Sequence, residues 1–367
     1  MNKFVSLAVT LTLVLLYGLR VAVAQPVVEP VSEPPQVAPT TAFVLGSPKD
    51  DGPVVVRASF EFQDIDEISE ENETFEFTGV LTLRWQDKRQ AFDPAVVGVG
   101  EKIYQGDYQF NELAPSWYPQ VVLVNSSDSF EQQGVVLRVR PDGTQTLRAK
   151  LTAIAKTEFN LRRYPFDKQR LEAVFEVLGF DDSEVVLEVD SQAPVSAGRV
   201  WVPQWIVTGI EMSIRDHAAS YAGGRDVESA LVASVDVQRQ SYYVSRLVIL
   251  PLIVIVLLSF SVFWMDRASL GDRISVSFIG ILTAVAYQVV MNDILPRIAY
   301  PTWINGFLNV SFLLMVGTVI INLVVGGLDQ RGRHDVAHRV DHLCRWIFPV
   351  SYFGLILFLF GMAFLLF

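Results

Sequence analysis

DRISVSFIGILTAVAYQVVMNDILP, residues 272–296, is the stretch whose reading decides the fold. It is long enough to cross a bilayer, which takes about 20 mostly apolar residues as a helix. Yet Asp272 and Asp293 bracket it, and Ser275, Ser277, Thr283, Gln288 and Asn292 lie between them. Lipid penalises such groups, so they need another surrounding.

Asp272, Ser275, Ile279, Leu282, Ala286, Val289 and Asp293 recur at steps of three and four. That spacing keeps all seven on one helix face. A seam against neighbouring helices accounts for Ser275 and Ala286, because small residues allow close packing. It does not account for an acid at each end of the stripe, since charge at membrane depth is costly without water or a partner. Several copies of the helix around an axis remove that cost. Asp272 copies then ring the inner mouth of a watery path and Asp293 copies the outer one, concentrating cations and repelling anions. Ile279, Leu282, Ala286 and Val289 form apolar rings between them, a constriction that closes by expelling water. Arg273 lies about 100° around the helix and points away from the axis. One copy makes no pore, so the sequence implies an oligomer of closed cyclic symmetry. The spacing leaves the subunit number open.

Three further stretches are uncharged: Leu247 to Met265, Ile298 to Leu328 and Trp346 to Phe367. With residues 272–295 they make four spans, at about 244–265, 272–295, 301–328 and 344–367. Residues 42–240 read differently. RASFEFQDI and TFEFTGVLTLRW alternate apolar and polar residues, as half-buried strands do. EVVLEVD and GVVLRVRPDG repeat the pattern, and the second ends in a Pro-Asp-Gly turn. Helical period shows only weakly, near Asp93–Gly98. Many short strands between turns predict a β-sandwich, long enough here to bury its own core.

The start, residues 1–24, reads as a secretory signal peptide: Lys3, an apolar run from Phe4 to Tyr17, and the small-x-small site Ala22-Val23-Ala24. Residues 25–41 are a Pro-rich, extended linker. Export of the β domain sets one side. Arg331, Arg333, Arg339 and Arg345 lie between the third and fourth spans, and arginine excess belongs to the cytoplasmic side. Both signals place the β domain and the C-terminus in the periplasm, around an inner-membrane bundle of residues 241–367. The net charge of −11 argues against nucleic acid as a partner, and the lone Cys344 allows no internal disulfide. The mean hydropathy of +0.33 is high for a chain without membrane spans.

At this point the residues resemble the pentameric ligand-gated ion channels, the Cys-loop receptor superfamily, and its bacterial members in particular. SWYPQVVLVN, Ser116 to Asn125, resembles the family's Trp-x-Pro strand segment. RRYPFDKQRL, with Tyr164-Pro165-Phe166-Asp167, resembles the aromatic-Pro-Phe-Asp loop that carries a disulfide in animal members. The two cysteines of that loop fall at Thr157 and Leu171, so this chain is similar to members without the bridge. Arg239 stands where the family keeps an arginine ahead of its first span. SVFWMDRASLGDRIS and VAYQVVMNDILPRIAYPTWI resemble the bacterial pore region. The resemblance implies a homopentamer around a central pore, embedded in membrane lipid and passing monovalent cations.

It also implies an agonist site between neighbouring outer domains, in the family an aromatic box for an amine, which attracts the cation by its ring faces. Val124 and Leu178 stand at two of its aromatic positions, with Phe180 two residues on as a substitute. Tyr221 lies on the Gly-rich third loop, Trp85 matches the complementary face, and Glu176 supplies charge to an amine. Each of these aromatics also reads as sandwich core, Phe180 as readily as a site residue and Tyr221 less so, because its neighbours are polar. Acidic groups and His217 leave room for modulation by protons or divalent cations; no cofactor is implied. For coupling, Asp64 to Glu73 reads as an acidic turn between strands. The resemblance places Asp66 and Glu70 of that turn beside Pro165, Phe166, Asp167 and Arg239. Phe166 and Pro165 would touch the Ile294–Pro301 connection, which Pro296 and Pro301 stiffen.

No G-x-S-x-G, H-E-x-x-H or Gly-rich phosphate loop is present, which argues against an enzyme. His334, His338 and His342 step by four along one helix face, a pattern for metal and, more commonly, for a solvated amphipathic helix leading into the last span. The rival reading of the whole is a membrane-anchored periplasmic sensor without conductance. It needs a cytoplasmic effector-binding part, and the cytoplasmic segment is only about fifteen residues.

Overall fold

A computed structural model describes residues 46–48, 52–113, 116–128, 130–191, 202, 204–218, 227–265, 270–293, 295 and 297–366. The signal peptide, the Pro-rich linker, Tyr221 and Pro296 lie outside the described residues. Ten strands come first: β1 Val54–Ser69, β2 Thr74–Gln86, β3 Lys102–Gln105, β4 Val121–Leu123 and β5 Glu131–Val139. β6 Thr144–Lys156, β7 Lys168–Val177, β8 Val185–Val189, β9 Trp205–Ala218 and β10 Val227–Arg239 follow. They form a six-stranded sheet, β3-β5-β6-β2-β1-β8, and a four-stranded sheet, β4-β7-β10-β9. β8 runs parallel to β1, while the other pairs are antiparallel.

Alternation explains the packing. Phe60, Phe62, Phe75 and Phe77 point inward and are buried, and Phe60 crosses to Phe175 of the other sheet at 5.0 Å between ring centres. At Gly79 of β2 a Cβ would fall 2.3 Å from the Phe60 ring and 2.7 Å from the Glu61 carbonyl oxygen, so glycine is what this close approach accepts. One expectation is corrected. Asp64 to Ser69 is strand, and only residues 70–73 turn. Ile65 is buried and pairs with Phe77, and Ile68 pairs with Phe75. The acids between them are the solvent side of a strand, which composition alone does not distinguish from a charged turn.

Four helices follow: α1 Tyr242–Trp264, α2 Leu270–Met291, α3 Trp303–Gln330 and α4 His334–Leu366. Each is long and apolar enough to cross a membrane. The last helix runs unbroken from His334, so the amphipathic helix expected ahead of the last span is continuous with it. Ala337 and Asp341 are buried, so the polar turns before Cys344 pack against the bundle and stay helical. α1 and α3 are the inner helices, 39% buried over their apolar windows, against 17% for α2 and 11% for α4. Two helices thus keep open faces, and the faces differ. That of α4 is apolar, with Leu343, Trp346, Val350, Leu357 and Phe358 exposed. That of α2 carries acids and hydroxyls. At the inner end Leu270 packs on Gly326 of α3, where a Cβ would lie 2.5 Å from it.

Candidate pore and coupling site

Helical period divides α2 into two stripes. Arg273, Ser277, Ala284 and Met291 are buried. Asp272, Ser275, Ile279, Leu282, Ala286 and Val289 are all exposed, as is Asp293 in the turn just after the helix. At about 100° per residue the two stripes lie on opposite sides. Ile279, Leu282 and Val289 are 63%, 70% and 62% exposed, so the apolar part of the stripe covers nothing within the subunit. The hydroxyls of Ser275 and Thr283 bond back to Gly271 O and Ile279 O, which lowers the cost of placing them on the open face.

The buried stripe is pinned by polar contacts. Ser277 Oγ donates to Arg273 O at 2.9 Å, and Asn322 of α3 donates its amide to Ser277 Oγ at 3.0 Å. The Arg273 guanidinium, 1% exposed, donates to Asp341 of α4 at 2.5 Å and to Val262 O at the end of α1 at 3.1 Å.

At the boundary between sandwich and helices, Arg239 ends β10. Its Nε meets Asp167 Oδ1 at 2.8 Å, its Nη2 meets Asp167 Oδ2 at 3.2 Å, and its Nη1 meets Glu70 Oε1 at 2.8 Å. Its guanidinium carbon stands 4.1 Å from the ring centre of Trp205 and 4.7 Å from that of Tyr164. Burial pulls the guanidinium down, but the bonds and charge of Asp167 and Glu70 outweigh it and leave the pKa raised. Burial pushes the Tyr164 phenol up to about 12. Asp66 does not join this cluster; it accepts from Thr78 at 3.5 Å on the exposed side of β1.

Phe166 is also placed differently from the expectation. Its ring meets Trp303 at 5.5 Å and Phe360 and Phe364 at 5.8 and 6.3 Å, so it docks between α3 and the last turns of α4. Residues just before it reach the connection after α2. Tyr300 donates its hydroxyl to Phe159 O and accepts from Leu161 N, and Trp303 N donates to Arg162 O. Arg163 Nε donates to Ala363 O at 3.0 Å.

The residues expected at an agonist site separate into two groups. Trp85 is 2% exposed and faces the sandwich interior, edge-on to Trp117 at 6.1 Å. Trp117 in turn meets Phe180 at 5.7 Å, so one aromatic chain runs from β2 to the loop after β7. Glu176 is fully buried on β7 rather than open to an incoming amine. Leu178 and Phe180 are partly open, and Leu178 lines a cavity of about 330 Å³ with Tyr118 and Phe175. On the outward side of β7, Glu172 takes two bonds from Arg215 at 3.1 Å, which hold its carboxyl below the ordinary range. His217 pairs with Glu228 across β9 and β10.

His338 and His342 stack at 6.3 Å on exposed turns, and His334 bonds Asp329. Among the described residues no three His, Cys, Asp or Glu side chains gather as a metal site. Sequence reasoning passed over Trp205, Tyr300 and Asp341. A lone aromatic near a span boundary was the available signal for Tyr300, and an acid inside a helical stretch leading to a span was that for Asp341.

Comparison with known proteins follows the same division of the chain. Residues 45–241 match the model of the neurotransmitter-gated ion-channel ligand binding domain, and residues 248–335 that of the neurotransmitter-gated ion-channel transmembrane region. A proton-gated ion channel of Gloeobacter violaceus is 26% identical over 83% of this chain and 82% of its own length. The gamma-aminobutyric acid receptor subunit theta of Mus musculus is 28% identical over 77% of this chain. The beta-4 subunit of Gallus gallus is 24% identical over 79%. The chain spans 44% of the first and 59% of the second of these animal subunits.

Proposed function

The chain belongs to the neurotransmitter-gated ion-channel family of pentameric, Cys-loop-type ligand-gated channels, and from that premise we propose that it forms a homopentameric, cation-selective pore. The family is one of channels, not enzymes. The observation that carries the proposal is the open stripe of α2, acidic at both ends and apolar between, opposite a stripe buried in its own bundle. Asp272 copies select monovalent cations at the cytoplasmic mouth and Asp293 copies gather them at the periplasmic one. Ile279, Leu282, Ala286 and Val289 rings gate by drying. The outer domain is periplasmic, preceded by a cleaved signal peptide, and the bundle lies in the inner membrane.

A ligand binds between outer domains and favours the wide, wet state by its differential affinity for that state. Moving a closed population to an open one takes about 5.5 kcal/mol, which five equivalent sites share at about 1 kcal/mol each. The ligand is a small cation, an amine in the simplest case, meeting Phe180 and Tyr221 at the subunit boundary. Trp85 and Glu176, held inside the sandwich, shape that surface from behind. The relatives are named for protons and for gamma-aminobutyric acid, so ligand class varies across similar outer domains. Displacement travels through Arg239, Asp167 and Glu70 to the Tyr300–Trp303 connection. Purified protein in planar bilayers under a KCl gradient tests the reading. A reversal potential near that of K⁺ is expected; absence of current, or reversal near that of Cl⁻, overturns it.

A further inference from the structure

We propose that Asp341, on the outermost helix, is a positioning residue for ion selection: it cancels the charge of Arg273 so that the Asp272 ring acts alone. This rests on the reading of Asp272 as the selecting ring. Asp272 and Arg273 are neighbours in sequence with opposite charge, at the same level of the pore helix. Left uncompensated, each guanidinium would sit directly behind a carboxylate of the ring. Its positive potential would reach the path, because buried charges are screened far less than exposed ones. A cation-selective mouth built on this sequence therefore needs a third charge.

The fold supplies one. Asp341 is 4% exposed and bonds the Arg273 guanidinium at 2.5 Å. Leaving one of two buried charges unpaired is costly, so the fold keeps the two together. A second donor, Nε, is taken by Val262 O at the end of α1. Guanidinium, carboxylate and carbonyl thus close a three-helix knot on the buried side of α2. On its open side Asp272 remains exposed. Per subunit the three ionised groups sum to one negative charge, and that charge faces the axis. Asp341 itself lies on the far side of the pore helix and never meets an ion. Its contribution is to the sign of the field rather than to a contact.

Reversal potentials under a KCl gradient distinguish the roles. Asp341→Asn leaves Arg273 uncompensated and is expected to lower the K⁺/Cl⁻ permeability ratio about tenfold. The double variant Arg273→Gln/Asp341→Asn removes both charges and is expected to return the ratio to within about twofold of the parent. Asp341→Glu keeps the charge and keeps the selectivity. Should Asp341→Asn fail to assemble, Arg273→Gln alone reads the same point with opposite sign: Asp341 then adds negative potential and the ratio rises. An assembled Asp341→Asn channel with the parent ratio overturns the inference, as does a double variant that stays as impaired as Asp341→Asn. Asp272→Asn serves as the separate control. If it leaves the ratio unchanged, the Asp272 ring is not the filter, and the failure belongs to that reading rather than to Asp341.

Discussion

The Tyr287 hydroxyl, on the pore helix, meets Leu247 O at 2.6 Å and Val248 O at 3.0 Å on α1. The cause is Pro251. Its ring nitrogen carries no hydrogen, so the carbonyl four residues back loses its helical donor. The backbone widens into i→i+5 turns over Ser245–Ile249 just before the proline. At membrane depth no water stands ready to satisfy the freed oxygens, and a neighbouring side chain must do so. α2 thereby holds α1 by a bond that proline makes available.

Tyr287→Phe removes that donor while keeping the ring. We expect a loss of about 1 kcal/mol per subunit, the usual worth of such a bond between membrane helices. The thermal unfolding midpoint of the solubilised oligomer should fall. A midpoint equal to that of the parent would show that another group serves Leu247 O.

Leu282 is the most exposed large apolar side chain of the open stripe, at 70%. Leu282→Ala shortens the apolar side chains of the ring, which widens the constriction and makes wetting easier. The resting open fraction is expected to rise about tenfold, equivalent to roughly 1.4 kcal/mol on the closed-to-open equilibrium. Unliganded current in bilayers reads it directly, and a current as small as the parent's would remove Leu282 from the gate.

Asp167→Asn leaves Arg239 buried with half its charge compensation, since Glu70 alone remains ionised beside it. Breaking a buried pair from one side costs about 3–5 kcal/mol. The side chains of Arg239 and Asp167 are only 5% and 1% exposed, so solvent screening gives little relief. The expected channel assembles poorly or binds without opening. Normal currents at normal expression would sever this triad from coupling.

Tyr164 gives a pH dependence with a defined sign. Its phenol is raised to about 12 from the usual 10, mainly by burial. A raised pKa means the folded state holds the proton more tightly. The stabilisation is fully present below pH 10 and is lost as pH climbs through 10 towards about 12. Ultraviolet titration of the parent against Tyr164→Phe isolates this phenol. A Tyr164 transition below pH 10 would contradict the buried placement.

The four helices and the open stripe of α2 were legible because membrane composition and helical period are local signals. The sandwich was legible from alternation, down to the Phe60–Phe77 core. The Asp64–Ser69 edge was not. Ile65 and Ile68 mark it as strand only once their partners Phe77 and Phe75 are known. The helix ahead of the last span was legible as amphipathic, but the burial of Ala337 and Asp341 was not, since other helices cover them. Phe166 was beyond reach for a different reason: the neighbouring Arg163 bonds a carbonyl 200 positions later in the chain, and no spacing rule spans that distance. Glu176 and Trp85 share that limit, because alternation places a side chain on a face without saying what covers it.

Arg163 and Phe166 grip the far end of α4 through Ala363 O, Phe360 and Phe364. The helix with the largest greasy flank is therefore moored at the height of the hinge rather than drifting beside it. A bilayer thicker or thinner than the helix must tilt or stretch it, at a fraction of a kcal/mol per Å of mismatch. That strain arrives where the sandwich leans on the bundle. The acyl-chain length of the surrounding lipid is thus expected to bear on the contacts that join the sandwich to the bundle.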